Sequence, residues 1–224
     1  MSGVEPTPIA SAVGAGVVLA VCAARTDVEL SGIGASGIDK RQEAGRVTVG
    51  IDGLVPDHSV DTKHHGGGDQ AVYAYDDAEA ARWAEELGRD LPYGWFGENL
   101  RVSGLPVTDA IVGEQWAVGD DGLLLETTIP RTPCRTFAVW AGEPRWVKRF
   151  MSRADVGAYL RVVTPGTVGV GDAIRVVHRP THGVHVRHLL TGAGTDAEAL
   201  SALLAADDVA PKVRREATRH LARA

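Results

Sequence analysis

Short apolar segments separated by glycine, aspartate and proline fill the chain as far as about residue 180. Their length and composition predict strands at Val17–Ala23, Arg46–Ile51, Ala71–Tyr75, Leu100–Val102, Leu123–Ile129, Tyr159–Val163 and Ala173–His178. Val-Gly-acid steps at 112–114, 118–120 and 170–172 predict turns, because glycine accepts positive φ and the acidic side chain can cap the turn. Strands at this spacing favour a barrel or sandwich over a parallel sheet, so we predict a mainly β fold.

A few helices interrupt this pattern. The first begins at Asp76, which can cap it while Glu79 reaches back, and it ends at Gly88. A shorter helix is predicted at Trp146–Ser152. Neither is long enough to change the class of the fold.

The chain becomes helical after Pro180. Thr195 and Glu198 form a capping box ahead of a helix at Ala199–Ala206, and another helix begins near Pro211. Together with a turn near residues 185–190, these segments predict a C-terminal three-helix extension at residues 181–224. Such an extension is too short to fold alone, so we expect it to pack on a β domain formed by residues 1–180.

Charge and cysteine content exclude several classes of protein. The formal net charge is -6 and no long basic stripe offsets it, which argues against a nucleic-acid partner. Two cysteines cannot form a disulfide framework, so we expect a cytoplasmic protein. The apolar stretch from Ile9 to Ala24 follows residues without Lys or Arg, and it is shorter than a membrane span of about 20 residues. We interpret Val17–Val21 within it as a first buried strand rather than part of a signal peptide, and we expect no membrane association.

One thiol has a chemically distinctive setting, in the run Pro130-Arg131-Thr132-Pro133-Cys134-Arg135. The prolines predict a rigid loop at the end of a strand, because proline fixes φ and removes a hydrogen-bond donor. Positive charge from Arg131 and Arg135 favours the thiolate, which is the form that attacks substrates and binds metals. Cys134 is therefore the candidate reactive cysteine, whereas Cys22 lies in an apolar strand and is predicted to be a core residue.

The segment Lys63-His64-His65-Gly66-Gly67-Gly68-Asp69-Gln70 is the second unusual place. Consecutive glycines expose main-chain N–H groups and let a ligand approach closely, and the adjacent lysine and histidines supply charge, so an anion such as phosphate fits here. A flexible turn between strands, capped by Asp69, accounts for the same residues. Zinc is disfavoured, because neighbouring histidines on an extended chain point to opposite faces. A zinc site at His182, His185 and His188 is also disfavoured, because the sequence has no acidic or thiolate partner near them.

Two further glycine motifs have different interpretations. Residues 32–37 match the GxGxxG dinucleotide fingerprint, but too few residues separate them from the next strand for a crossover helix, so we interpret them as a loop. In Gly97-Glu98-Asn99-Leu100, Glu98 is a candidate proton donor or ligand-orienting group, and Asn99 can both donate and accept. A cap between loop and strand is the alternative for this second motif.

Taken in order, these residues resemble the MOSC family, whose domain is also found at the C-terminus of molybdenum cofactor sulfurases. The motifs that carry the resemblance are Ser36–Lys40, Gly53-Leu54 with Asp57 and Asp61, His65–Ala71, Gly97–Leu100, Pro130–Cys134, Gly157–Val162 and Gly171-Asp172. They span about residues 16–180. The helical tail is similar to the three-helix extension of the stand-alone bacterial members, which include reductases of N-hydroxylated purines.

The resemblance implies a MOSC-type β-barrel, a pterin-based molybdenum cofactor (molybdopterin) and Cys134 as the molybdenum ligand. It makes Cys134, His65 and Glu98 the predicted catalytic residues. The predicted cofactor-binding residues are Lys63, Gly66, Gly67, Asn99, Arg131 and Arg135.

The implied function is reduction of small N-hydroxylated bases or related N-oxygenated compounds. The chain carries no flavin, haem or iron–sulfur motif, so electrons must come from a separate electron-donating reductase. One alternative is a molybdenum cofactor or sulfur carrier, in which Cys134 holds a persulfide. Another is a hydrolase that pairs Cys134 with His65, which needs the two within hydrogen-bond distance and an oxyanion hole.

Overall fold

The computed structural model describes residues 14–57, 67–191 and 196–223, and all of its helices and strands belong to these ranges. The strands are β1 Ala15–Ala23, β2 Val28–Leu30, β3 Gly34–Ser36, β4 Arg41–Gln42, β5 Val47–Gly50, β6 Gly53–Leu54, β7 Val72–Asp76, β8 Leu100–Ser103, β9 Gln115–Val118, β10 Leu123–Pro130, β11 Ala158–Thr164, β12 Gly166–Val168 and β13 Ala173–His178. The helices are α1 Asp77–Leu87, α2 Arg135–Ala141, α3 Trp146–Arg153, α4 His188–Thr191, α5 Ala197–Ala205 and α6 Pro211–Leu221.

The main sheet closes into a barrel. Its strands follow the order β13-β9-β10-β11-β7-β8-β1, and β1 returns to pair with β13, where Val17 lies opposite Ala173. Neighbouring strands are antiparallel except β7 and β8, which run parallel. The structure therefore confirms the predicted mainly β barrel, and closure leaves its principal strands without free edges.

Helix α1 connects the parallel pair, because parallel neighbours need a crossover. Asp76 caps it as predicted, with the carboxylate accepting the Ala78 main-chain N–H at 3.0 Å, and Gly88 ends it at a φ of 63°. Glu79 does not reach back to complete a capping box. It is buried, and its carboxylate accepts the Thr108 hydroxyl at 2.7 Å.

Two apolar clusters lie on opposite sides of the barrel wall. One fills the barrel, with residues such as Val21, Leu125 and Leu160. The other lies outside it and is aromatic, formed by Trp83, Trp95, Phe96, Phe137, Trp146 and Phe150 from α1, α2, α3 and the loop before β8. This second cluster fixes α2 against the barrel, and α2 begins directly after Cys134.

Helices α4, α5 and α6 follow Pro180 in the described part of the chain. Asp196, rather than Thr195, caps α5, and its carboxylate accepts the Ala199 N–H at 2.7 Å; Thr195 lies outside the described residues. Leu200 of α5 and Val213 of α6 belong to the same apolar cluster as the barrel interior. The extension thus packs on the barrel, and a domain boundary near residue 180 stays a prediction.

Candidate active site

Cys134 stands between strand β10 and helix α2. Pro130 still pairs with Ala158 at an irregular end of the β10 ladder, so the strand continues one residue further than the predicted rigid loop allows. A proline is tolerated there because the ladder ends. No helix is predicted after this run, yet α2 begins at Arg135 with Cys134 as its N-cap, and the Cys134 sulfur accepts the Phe137 N–H at 3.5 Å.

Arg131 is the buried cation of the site, 6% exposed. Its Nη1 donates to the Phe96 carbonyl, and its guanidinium lies 5.2 Å from the centre of the Tyr73 ring and 4.1 Å from that of Phe137. Its Nε is buried without a hydrogen-bond partner. Among the described residues, no carboxylate forms an ion pair with it, although buried cations in proteins are normally paired.

The charge of Arg131 interacts with that of Cys134. Burial opposes the guanidinium charge, but the neighbouring Tyr73, Tyr159 and Cys134 favour it more, and the pKa of Arg131 lies above its ordinary value. Cys134 is half-buried, and a neighbouring positive charge generally favours a thiolate over a thiol. Arg135, unlike Arg131, is exposed, and its guanidinium lies beside Gly32.

Glu98 is completely buried beneath the site. Its carboxylate accepts the N–H groups of Gly94 at 2.9 Å and Phe96 at 3.0 Å, and it forms an ion pair with Arg101, whose Nε lies 3.0 Å away. These contacts hold the aromatic loop before β8 in place. They favour a structural role, and the predicted role of Glu98 in proton handling is still a prediction.

Asn99 ties three segments together next to Glu98. Its carboxamide accepts the Tyr73 N–H at 3.0 Å and donates to the Cys22 carbonyl at 3.2 Å and to the Asp57 carboxylate at 2.8 Å. Asp57 also accepts the Ala24 N–H at 2.7 Å and pairs with Lys40. Burial lowers the pKa of Lys40, against the opposing effect of Asp57. Asn99 therefore positions β7, which carries Tyr73 towards Arg131.

Residues 67–70, the glycine turn, precede β7. Gly67 and Gly68 are exposed, and a Cβ added to either would meet no atom within 4 Å. Gly67 has a φ of 82° and a ψ of 158°, a conformation that only glycine adopts without strain. Lys63, His65 and Gly66 lie outside the described residues, so their proximity to Cys134 stays a prediction. The part of the turn that is described presents main chain to open space.

Tyr159 is a site residue that the sequence analysis did not single out. It is half-buried on β11, its ring centre lies 5.1 Å from that of Tyr73, and the charges of Arg131 and Cys134 act on its hydroxyl. Burial raises its pKa, and Arg131 opposes that effect. Its neighbours Ala158 and Leu160 are buried. Alternation along β11 would have placed Tyr159 on the outer face of the barrel, towards α2.

The late histidines have structural partners. His182 accepts the Val184 N–H at 3.0 Å, and His188 accepts that of His185 at 3.2 Å. No group of three or more His, Cys, Asp or Glu that could hold a metal occurs among residues 14–57, 67–191 and 196–223. Across the same ranges, no helix has the length and apolar character needed to span a bilayer.

Comparison with known proteins identifies the family. A model described as the MOSC domain matches residues 61–175, which include the glycine turn, Glu98, Arg131 and Cys134. The chain belongs to the MOSC domain family. The uncharacterized protein YflK of Bacillus subtilis is 30% identical over 152 residues, 68% of this MOSC chain and 68% of YflK.

A second sequence relative and two solved structures are also similar to this chain. A protein named reductase from Gibberella moniliformis is 31% identical over 169 residues, 74% of this MOSC chain but only 30% of the reductase. The crystal structure of YiiM from Geobacillus stearothermophilus superposes with a TM-score of 0.73 at 23% identity, covering 92% of this chain and 99% of YiiM. The crystal structure of YiiM from Escherichia coli superposes with a TM-score of 0.68 at 20% identity, covering 93% of this chain and 92% of that YiiM. The barrel and the extension of this MOSC protein thus have a known architecture.

Proposed function

We propose that this MOSC protein binds the molybdenum cofactor at Cys134 and Arg131 and reduces N-hydroxylated bases or related N-oxygenated compounds. MOSC domains are associated with molybdenum cofactor binding, and one relative is named a reductase. The observation that carries the proposal is the buried Arg131 guanidinium beside Cys134. It has no carboxylate partner in the described part of the chain.

The residues present fit such a group by their chemistry. A thiolate at Cys134 is a soft, strongly donating ligand for a redox metal. The Nε of Arg131 is a charged donor without an acceptor among the described residues, and hydrogen bonds from such donors to anions are strong. Gly67 and Gly68 present exposed main chain to open space, as phosphate-binding turns do. When bound, the cofactor supplies the two-electron oxidation–reduction chemistry, and the protein orients it and handles protons.

Reduction of an N–OH group to N–H consumes two electrons and two protons and releases water. His65 remains the predicted proton carrier, and Tyr159 adds a phenol near Cys134 and Arg131. Glu98 is less suited to this task because its acceptor positions are occupied by two main-chain N–H groups and Arg101. Tyr159 and His65 are therefore the residues to vary first in a search for the proton donor.

The electrons require a separate protein. A thiol relay within this chain would need a second reactive cysteine, and Cys22 cannot serve. Burial raises the pKa of Cys22 to about 12, so it stays protonated in the core of β1. We therefore propose a separate electron-donating reductase as partner.

The test is molybdenum content together with reductase activity, measured on protein from a host that makes the cofactor. Cys134→Ser should lose both, yet keep its fold, because serine is a preferred N-cap and can replace sulfur as the acceptor for the Phe137 N–H. Cys22→Ala is the matched control and should retain both. Metal and activity in the Cys134→Ser variant would reject the proposal. Molybdenum without reductase activity in the wild type, when supplied with reduced methyl viologen, would support the carrier alternative instead.

A further inference from the structure

We propose that Asp69 and Lys212 are positioning residues through which helix α6 of the extension holds the glycine turn at the cofactor site. The location of that site rests on the function proposed above. The new element is a role for the extension: it forms part of the support of the site rather than a separate appendage.

The first observation concerns how α6 begins. A helix starts with main-chain N–H groups that lack partners within the helix, and an N-cap side chain usually accepts one of them. Ala210, the N-cap of α6, has no side-chain acceptor, and Pro211 has no N–H. The N–H of Lys212 donates instead to the Asp69 carboxylate at 2.7 Å, across 143 positions of sequence. The glycine turn therefore supplies the cap that α6 lacks.

Further contacts hold the turn from both sides. The Lys212 ammonium donates to the Gln70 side-chain oxygen on the α6 side. On the barrel side, the Thr128 hydroxyl of β10 lies 2.6 Å from the Asp69 carbonyl. The Gln70 N–H closes the turn on the Gly67 carbonyl at 2.8 Å. The sequence predicted Asp69 as a cap of its own turn, whereas the structure shows that it caps a distant helix.

The turn matters to the site because it leads directly into β7. Tyr73 of that strand lies three residues after Gln70, and its ring centre is 5.2 Å from the Arg131 guanidinium. Gly67 and Gly68 have the largest conformational freedom of any residue type, so their N–H groups point in fixed directions only if the neighbouring residues are held. Asp69 and Gln70 are those neighbours, and Lys212 binds both.

Amide hydrogen exchange on the cofactor-free protein tests this coupling directly. Asp69→Ala should raise exchange roughly fivefold, the usual size of a lost cap, both in the first turn of α6 and in residues 67–71. Asp69→Asn keeps an acceptor and should restore wild-type exchange. Asp208→Asn is the matched control, because Asp208 links the extension to Arg161 of β11 at 2.7 Å rather than to the turn. Gln70→Ala is a milder variant should Asp69→Ala fail to fold.

The loaded protein gives an independent readout. Asp69→Ala and Gln70→Ala should each retain several-fold less molybdenum after dialysis, with Asp69→Asn and Asp208→Asn near the wild-type value. Faster exchange confined to α6, or unchanged exchange in the turn of Asp69→Ala and Gln70→Ala, would overturn the coupling. Faster exchange in the turn with unchanged molybdenum retention would overturn its role at the site. A wild type that binds no molybdenum would count against the proposed function, and the exchange data would still decide the coupling.

Discussion

The guanidinium of Arg131 lies 4.1 Å from the centre of the Phe137 ring, and the N–H of Phe137 donates to the Cys134 sulfur. One residue of the first turn of α2 thus contacts both the buried cation and the thiol. Phe137 is itself completely buried in the aromatic cluster outside the barrel. The packing of that cluster therefore sets the spacing of the two groups to which we assign the cofactor.

Arg131→Met and Arg101→Met should destabilise the cofactor-free protein to different extents. Removing Arg101 leaves the buried Glu98 carboxylate without its ion pair and should lower the free energy of unfolding by about 3–5 kcal/mol. Removing Arg131 leaves no described carboxylate unpaired, so the change should stay below about 2 kcal/mol, the scale of its cation–π contact. Urea denaturation measures both. An equally large loss in Arg131→Met would show that an acid already pairs with it.

Cys134 should also contribute to stability through its cap. Cys134→Ala removes the acceptor for the Phe137 N–H and should destabilise the cofactor-free protein by about 0.5–1 kcal/mol. Cys134→Ser should match or exceed the wild type. Thermal unfolding of the three proteins measures the effect. If the serine and alanine variants melted together, the sulfur contact would have no capping role.

Glu98→Gln separates a structural role from a catalytic one. The substitution leaves the buried Arg101 with the partly exposed Asp77, 3.3 Å from its Nη1, as its remaining ion-pair partner among the described residues, so we expect a loss of up to about 3–5 kcal/mol in the free energy of unfolding. Activity per molecule of folded, molybdenum-loaded protein should stay within about twofold of the wild type, well short of the roughly 10²–10⁴-fold effect of a general acid. A drop of hundreds-fold with normal molybdenum content would restore Glu98 as a proton donor.

Glu79 should make stability depend on pH. Burial raises its pKa from 4.5 to about 8, while the Thr108 hydroxyl opposes the shift. Between these values the folded protein holds a proton that the unfolded chain has released. The Glu79 contribution to the free energy of unfolding should therefore fall, by up to about 1.4 kcal/mol per pH unit, as pH rises from about 4.5 to about 8.

Glu79→Gln should remove that slope. Glutamine resembles the protonated acid and can still accept the Thr108 hydroxyl. Glu85→Gln, an exposed position on the same helix, serves as the control. Urea denaturation at a series of pH values measures the difference, and parallel curves for wild type and Glu79→Gln would contradict the buried, protonated state.

Gly67→Ala and Gly68→Ala form a matched pair in the glycine turn. Space is available for a Cβ at both positions. Only Gly67 has a left-handed φ, 82°, so Gly67→Ala should cost about 1–3 kcal/mol locally while Gly68→Ala is nearly neutral. Amide exchange in the turn and molybdenum retention are the measurements. Equal effects of the two substitutions would mean that side-chain volume, rather than backbone conformation, matters there.

Six of the seven barrel strands could be predicted because each has a local signature, whereas β9, a four-residue strand between two predicted turns, was missed. β13 has the bounds that the sequence predicted. β1 and β10 differ from their predicted bounds by one or two residues at one end, and β11 differs by one residue at each end. Asp76 and Gly88 mark α1 for the same reason, since caps act over a single turn. Closure of β1 on β13 joins the two ends of the barrel and has no local signature.

Only part of the candidate site could be predicted from the sequence. Helix α2 was missed because it is 7 residues long and its N-cap is a cysteine, which is not among the usual N-cap residues. Glu98 looked like a proton donor because nothing in the sequence reveals that Arg101 folds back on it. The Asp69–Lys212 contact was equally hidden, since it joins residues on different elements far apart in the chain.

Closure of the barrel through Val17 and Ala173 makes most of the polypeptide necessary before its sheet is complete. Contacts this distant in sequence form slowly, on the millisecond-to-second scale rather than in microseconds. Until they form, β1 and β13 each present an unpaired ladder that can recruit strands from other molecules. Fragments cut within either end are therefore expected to aggregate, and refolding yield should fall as protein concentration rises.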